Sequence, residues 1–214
     1  MYANRKEAGE QLAAALSHRR DPQLLVLGLP RGGVVVAAEI ARVLDAQLDV
    51  LLCKKLRAPG NPELALGAVS EDGKVYVNQE IEDQLDVSER YLEQEKQQRL
   101  AEMARQVELY RAVRPKVPMA GRPVILADDG LATGATMIAS IHSAALNQPR
   151  SILVAVPGGA RETAEKIRSM EEVGELICLE TPGLFYGVGQ LYDDFAQVED
   201  DEVIELLTAA AGNS

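Results

Sequence analysis

The distribution of apolar and polar residues along the chain predicts an α/β protein with a parallel sheet. Short continuous apolar runs, which are typical of strands buried on both faces, recur between segments whose apolar residues repeat every three or four positions. The apolar runs that we interpret as strands are 24–28, 50–53, 124–127, 151–156 and 175–179. The segments that we interpret as helices are 5–18, 33–44, 135–146 and 161–172. This alternation favours parallel strands, because a crossover helix returns the chain to the end of the sheet at which the previous strand began.

The segment that follows the second predicted strand interrupts the alternation. Turn-forming residues, two of them proline and one glycine, predict a loop over 56–64. An Asp-Gly pair at 72–73 is a strong turn signal and predicts a hairpin of strands 65–70 and 74–78.

A long polar helix is predicted after the hairpin. Asp86 followed by Glu89 three residues later can form a capping box at its start, and two prolines end it after Val113. Val203 and Leu207 indicate a short helix near the end of the chain. Since no repeat or linker divides the sequence, we expect one domain over residues 1–214.

Composition and charge exclude several classes of protein. The 214 residues carry a net charge of −11, which repels a phosphate backbone and argues against a nucleic-acid partner. No apolar run reaches the length of a membrane span, and charged residues at positions 5, 6, 7 and 10 interrupt any secretory signal. Two distant cysteines and two histidines exclude a disulfide framework and a multi-histidine metal centre, so a reducing cytosol is the expected compartment.

The stretch 124–136 contains the most informative chemistry. An apolar strand ends in Asp128 and Asp129, and a loop with two glycines and two threonines leads directly into a helix. Loop amides and a helix N-terminus bind anions, and the hydroxyls of Thr133 and Thr136 can add donors. Carboxylates beside a phosphate site would repel the phosphate, but they can accept hydrogen bonds from sugar hydroxyls. The residues therefore indicate a ribose 5-phosphate ligand.

This stretch resembles the phosphoribosyl pyrophosphate (PRPP) motif of type I phosphoribosyltransferases, in which two acids precede a Thr-Gly-x-Thr loop. The resemblance implies that Asp128 and Asp129 hold the ribose hydroxyls. It implies that the 5′-phosphate is bound by Gly130, Leu131, Ala132, Thr133, Gly134, Ala135 and Thr136. The alternatives are an ordinary capped helix and a phosphoacceptor aspartate pair, although receiver domains place that pair after an early strand. The implied fold is a parallel sheet flanked by helices, with a core near 24–182, a flexible hairpin cover and a small hood from both chain ends.

Two basic segments resemble the family's pyrophosphate site. They comprise Arg31, Gly32 and Gly33 after the first predicted strand, and Lys54, Lys55 and Arg57 after the second. The resemblance implies a cis peptide between Pro30 and Arg31, and catalytic roles for Lys55, Asp128 and Asp129. The alternative for the second segment is a solvated basic edge.

The C-terminal segment loosely resembles the hood of 6-oxopurine phosphoribosyltransferases. There, Phe185 or Tyr186 would stack on the base, and Asp193 would match a later aspartate; packing of a chain end is the alternative. Ala132 stands where 6-oxopurine members have an aspartate near the base nitrogen. That departure puts a hypoxanthine or guanine acceptor, and the identity of a catalytic base, in doubt.

The resemblance implies that the protein displaces pyrophosphate from C1 of PRPP with a nucleobase-like acceptor. Mg²⁺ would be held through PRPP oxygens and waters, with Asp128 and Asp193 as candidate direct ligands. A non-catalytic PRPP- or nucleotide-binding regulatory protein is the competing hypothesis. The resemblance also makes a homodimer one of the oligomeric states to test.

Overall fold

The computed structural model describes residues 1–212 and contains two β-sheets. Five parallel strands form the main sheet in the order β2-β1-β6-β7-β8, and three antiparallel strands form the second in the order β3-β4-β5. The strands are β1 (Leu25–Gly28), β2 (Gln47–Val50), β3 (Cys53–Ala58), β4 (Asn61–Ser70), β5 (Val75–Val77), β6 (Pro123–Ala127), β7 (Ser151–Gly158) and β8 (Val173–Glu180). The predicted parallel sheet is confirmed.

Helices cover both faces of the main sheet. They are α1 (Arg5–Ala15), α2 (Gly32–Leu44), α3 (Gln79–Leu85), α4 (Glu89–Val113), α5 (Ala135–Ala145), α6 (Arg161–Arg168) and α7 (Asp200–Ala211). Successive strand residues point to opposite faces, so Val26 and Ile125 pack with α1, α2 and α7. Leu27 and Leu126 pack with α5 and α6 on the other face. Burial on both faces explains why these strands are continuous apolar runs.

The segment between β2 and β5 differs from the prediction in two places. The predicted loop over 56–64 is wrong, because β3 and β4 pair through it as far as Ala58 and Asn61. The turn between the two strands has only two residues, Pro59 and Gly60, and Gly60 adopts φ +73°. The proline and glycine therefore mark a tight turn and not a nine-residue loop. The predicted strand 50–53 is divided between the two sheets, since β2 ends at Val50 and Cys53 begins β3.

The start of the long helix also differs from the prediction. Asp86 has a left-handed conformation at φ 47° and ends α3, a helix that the sequence analysis missed. The hydroxyl of Ser88 caps α4 by accepting a hydrogen bond from the backbone N–H of Tyr91. The predicted end of the helix at Val113 is confirmed. No helix among residues 1–212 is both long and apolar enough to cross a membrane.

A buried ion cluster attaches α4 to the edge of the main sheet. The Arg111 guanidinium donates to Asp49 at 2.7 Å and to both carboxylate oxygens of Glu71 at 2.6 and 2.7 Å. Asp49 lies on β2 and its side chain is 1 % exposed, while Glu71 follows β4. One arginine therefore joins the long helix, the edge strand and the hairpin.

We predict that Arg111→Met lowers the free energy of unfolding by about 3–5 kcal/mol, because two buried carboxylates lose their partner. The matched control is Arg42→Met, which removes an arginine that is 62 % exposed from its pair with Glu39 on the same helix and should cost within about 0.5 kcal/mol. Urea unfolding measures both free energies. Equal costs for the two variants would show that the Arg111 cluster does not stabilise the fold.

Candidate functional site

Two loops approach each other closely at the carboxyl ends of β1 and β6. These strands are neighbours in the sheet, with Gly28 opposite Ala127. A Cβ atom on Gly33 would lie 2.8 Å from Asp128 Oδ1, and one on Gly32 would overlap Asp129 Oδ2. The loop before α2 also contains the predicted cis peptide between Pro30 and Arg31. Glycine is therefore required at 32 and 33 so that the start of α2 can lie against the carboxylate pair.

The two carboxylates have different partners. Asp129 Oδ2 accepts a 2.7 Å hydrogen bond from Arg5 Nε, and Asp128 Oδ1 accepts the Asp129 backbone N–H at 2.9 Å. Burial raises the pKa of Asp128 well above its usual range, and the negative charge of Asp129 raises it further. The Tyr192 hydroxyl donates to the Asp129 carbonyl oxygen at 2.7 Å. The pair therefore lies in a partly desolvated pocket that favours hydrogen-bond donors as ligands.

Arg5 is a site residue that the sequence analysis missed. It begins α1, and its guanidinium carbon lies 3.9 Å from the centre of the Phe195 ring. Arg5 Nη1 also donates to the carbonyl oxygen of Ala196 at 2.7 Å. No sequence signal pairs Arg5 with Asp129, because 124 positions separate them. The contact depends on the two chain ends meeting, where the Tyr2 N–H donates to the Leu191 carbonyl at 2.7 Å.

The predicted phosphate loop encloses a cavity of about 200 Å³. Its wall is formed by residues 128–137 and by Val188. Gly134 adopts φ +73° and is the N-cap of α5, where it offers no side chain to the first-turn amides. Those amides and the threonine hydroxyls are the donors that an anion would meet. The Leu131 N–H donates to the Gly158 carbonyl at 2.9 Å, which ties the loop to the end of β7.

A larger cavity of about 460 Å³ lies next to the phosphate loop. The predicted basic residues Lys54, Lys55 and Arg57 all line it. Thr133, Ala135 and Thr136 line both cavities, so the structure brings the basic segment and the phosphate loop together. Arg99 and Glu102 of α4 also contribute to the wall, and the sequence analysis missed them because most positions of α4 are polar and these two do not stand out.

The hairpin that contains the basic segment is held against α4. The Arg57 backbone N–H donates to Glu95 Oε1 at 3.0 Å, and the Tyr91 hydroxyl donates to the Arg57 carbonyl at 3.1 Å. Lys55 Nζ lies 3.6 Å from Glu63 Oε2 across the hairpin. Glu95 and Tyr91 of α4 therefore fix the position of the Arg57 backbone.

The structure directs the Arg31 side chain away from both cavities. Arg31 Nη1 donates to Glu199 Oε2 at 3.3 Å and lies 4.0 Å from Asp200 Oδ1, at the start of α7. Its neighbours Leu29 and Pro30 line the large cavity instead. Contact between Arg31 and pyrophosphate stays a prediction that requires the Glu199 pair to break.

The hood residues that the sequence analysis named as site candidates also lie outside the walls of the two cavities. Phe185 packs with Tyr2 and Leu191, whereas Tyr186 is 87 % exposed. Asp193 is exposed, and its backbone N–H donates to the Tyr2 carbonyl at 2.8 Å. Val188 of the hood lines the cavity of the phosphate loop, and the Tyr192 hydroxyl donates to the carbonyl of Asp129 in its wall. Base stacking by Phe185 or Tyr186 and metal binding by Asp193 therefore stay predictions.

Comparison with known proteins identifies relatives over almost the whole chain. The family model described as phosphoribosyl transferase domain matches residues 2–183. Two Mycobacterium tuberculosis proteins, from strains CDC 1551 and H37Rv and both named provisionally as phosphoribosyl transferases, are 39 % identical over 210 residues. That alignment covers 98 % of this chain but 47 % of theirs, so the chain spans about half the length of these curated relatives. The crystal structure of TT1426 from Thermus thermophilus is 41 % identical, covers 97 % of this chain and 98 % of its own, and superposes with a TM-score of 0.91.

We predict that Gly33→Ala destabilises the protein by about 1–3 kcal/mol, because the added methyl group meets Asp128 and the Ala127 carbonyl. A lower free energy of unfolding would be informative, because replacing glycine by alanine inside a helix normally stabilises a protein. Gly174→Ala is the control, because its nearest contact would be at an ordinary 3.5 Å. Free energies of unfolding check both, and a stabilised Gly33→Ala variant would contradict the close approach.

Proposed function

The chain belongs to the phosphoribosyl transferase family, and on that premise we propose that it transfers the 5-phosphoribosyl group of PRPP to a nucleobase-like acceptor with release of pyrophosphate. The observation that supports this proposal most directly is the common wall of the two cavities. Thr133 and Thr136 line both the cavity of the phosphate loop and the cavity lined by basic residues. A ligand with a phosphate at one end and a pyrophosphate on the ribose needs these two anion sites side by side.

The reaction requires that the bond between C1 of the ribose and the pyrophosphate oxygen breaks and that its electron pair leaves with pyrophosphate. The acceptor nitrogen supplies the electron pair for the new bond to C1, and the proton that it carries passes to solvent water or to the released pyrophosphate. The chain contributes position and charge: Asp128 and Asp129 hold the ribose, and Lys54, Lys55 and Arg57 stabilise the leaving group. A covalent nucleophile is not needed. Burial raises the pKa of Cys53 to about 11, so this thiol in the cavity wall stays protonated at neutral pH.

Mg²⁺ is the metal that we propose for this reaction, and the donor set fits it. Asp128 and Asp129 offer hard oxygen ligands, while the described residues contain no group of three or more His, Cys, Asp or Glu side chains that could enclose an ion. Mg²⁺ binds in that manner, with one or two carboxylates completed by phosphate oxygens and waters. When bound, it supplies positive charge to the departing pyrophosphate. Asp128 is the better candidate ligand, because Asp129 Oδ2 pairs with Arg5, and Asp128 would give up the proton that its raised pKa favours when the ion binds.

We predict that the double substitution of Asp128→Asn and Asp129→Asn weakens PRPP binding at least tenfold. Hydrogen bonds from ribose hydroxyls to charged acceptors are worth about 1.5–3 kcal/mol each, and about 1.4 kcal/mol is tenfold in affinity. Isothermal titration calorimetry with PRPP and Mg²⁺ measures the change. Asp86→Asn is the control, because Asp86 is exposed and asparagine also adopts its left-handed conformation. Unchanged PRPP affinity in the double variant would refute the ribose assignment.

We predict that Lys55→Ala lowers kcat/KM for PRPP by about tenfold or more while a nucleoside monophosphate binds as before. The reason is that Lys55 faces the pyrophosphate, which the monophosphate lacks. Lys116→Ala is a matched control, because the Lys116 side chain is 27 % exposed against 25 % for Lys55 and pairs with Asp72 outside the cavity. Steady-state pyrophosphate release and monophosphate titration check the result, and equal losses for the two ligands would place Lys55 elsewhere.

A further inference from the structure

Arg99 of α4 is a buried arginine with incomplete hydrogen bonding in the wall of the large cavity. Its side chain is 2 % exposed, and Nη1 donates to Glu102 Oε2 at 2.6 Å. Nε lies 3.2 Å from Glu95 Oε1 without hydrogen-bond geometry, and Nη2 has no hydrogen-bond partner among residues 1–212. Buried polar groups in folded proteins are nearly always hydrogen-bonded, so two unmatched donors on a buried guanidinium require an explanation.

The surroundings of Arg99 indicate an anion. Lys54, Lys55 and Arg57 line the same cavity, and Glu102 is the acidic residue among the described residues of the wall. The whole chain has a net charge of −11, yet four cationic side chains and one acidic side chain line this cavity. The cavity is therefore locally positive on an acidic protein. Like charges brought together in this way are stabilised when an anion binds between them.

We propose that Arg99 contacts the pyrophosphate group of PRPP and that Glu102 is the counter-ion that it gives up when the ligand binds. This inference rests on the proposed function and adds a residue to it from outside the PRPP motif and both predicted basic segments. Glu102 is 41 % exposed, so its carboxylate can turn into solvent without being left unpaired in the interior. The guanidinium can then present two donors to one phosphate, a geometry that suits arginine better than lysine.

Glu95 is a positioning residue in this arrangement. It is 7 % exposed, accepts the Arg57 backbone N–H at 3.0 Å and lies against Arg99 Nε. One buried carboxylate therefore fixes the hairpin that presents Arg57 and orients the neighbouring guanidinium. The consequence is that α4 becomes part of the binding site as well as a support for the hairpin.

The test compares pyrophosphate with ribose 5-phosphate, each titrated by calorimetry in the presence of Mg²⁺. Arg99→Met keeps an unbranched side chain of similar length but removes the charge. It should weaken pyrophosphate binding at least tenfold and leave ribose 5-phosphate within twofold. Glu102→Gln should tighten pyrophosphate binding severalfold, because a neutral amide competes less for the guanidinium. Glu108→Gln removes a charge from an exposed position of the same helix outside the cavity and should change neither affinity.

The outcomes separate this inference from the proposed function. If the wild-type protein binds pyrophosphate and the folded Arg99→Met variant binds it equally well, Arg99 has only a structural role. Equal losses for pyrophosphate and ribose 5-phosphate would also overturn the inference. If Arg99→Met does not fold, Glu102→Gln decides: tighter pyrophosphate binding supports the inference, and an unchanged or weaker affinity overturns it. A wild-type protein that binds neither ligand would overturn the proposed function, and this inference with it.

Discussion

The contact between the start of α2 and the Asp128–Asp129 pair is the constraint on which the rest of the site depends. Parallel neighbours β1 and β6 bring their carboxyl ends to one edge, and two glycines without Cβ atoms allow the loops to meet there. Asp128 and Asp129 directly precede the loop that leads into α5, so the same contact brings the start of α2 to the beginning of that loop. The two cavities share a wall because Thr133, Ala135 and Thr136, where this loop turns into α5, line both of them.

The helix α4 connects this site to the edge of the sheet. At one end Arg111 joins β2 to the base of the hairpin, and at the other Glu95 holds the backbone of Arg57. These two anchor points are separated by 16 residues, which is about 24 Å along a helix. Between these two anchor points the hairpin also packs on α4, since Leu56, Leu66 and Val69 are buried in one cluster with Met103 and Tyr110.

Much of the fold and the centre of the site could be predicted from the sequence because both are encoded locally. Burial on two faces leaves a continuous apolar run, and the phosphate loop needs its acids, glycines and threonines in consecutive positions. The loop predicted over 56–64 was wrong because proline and glycine mark a turn without giving its length. Arg5 and Arg99 could not be found in this way, since their roles depend on partners in other elements. A polar helix position has the same sequence signature whether it faces water or a cavity.

The pairing of Arg5 with Asp129 has a practical consequence for handling the protein. Residues 2–5 are joined to the C-terminal hood and to the carboxylate pair by hydrogen bonds from Tyr2 and Arg5. Deleting them, or attaching a bulky affinity tag directly to Met1, would disturb the Asp128–Asp129 pair without changing any residue between 130 and 136. An inactive preparation of such a shortened or tagged protein would therefore say little about the chemistry of the native chain, and a tag is better placed after α7.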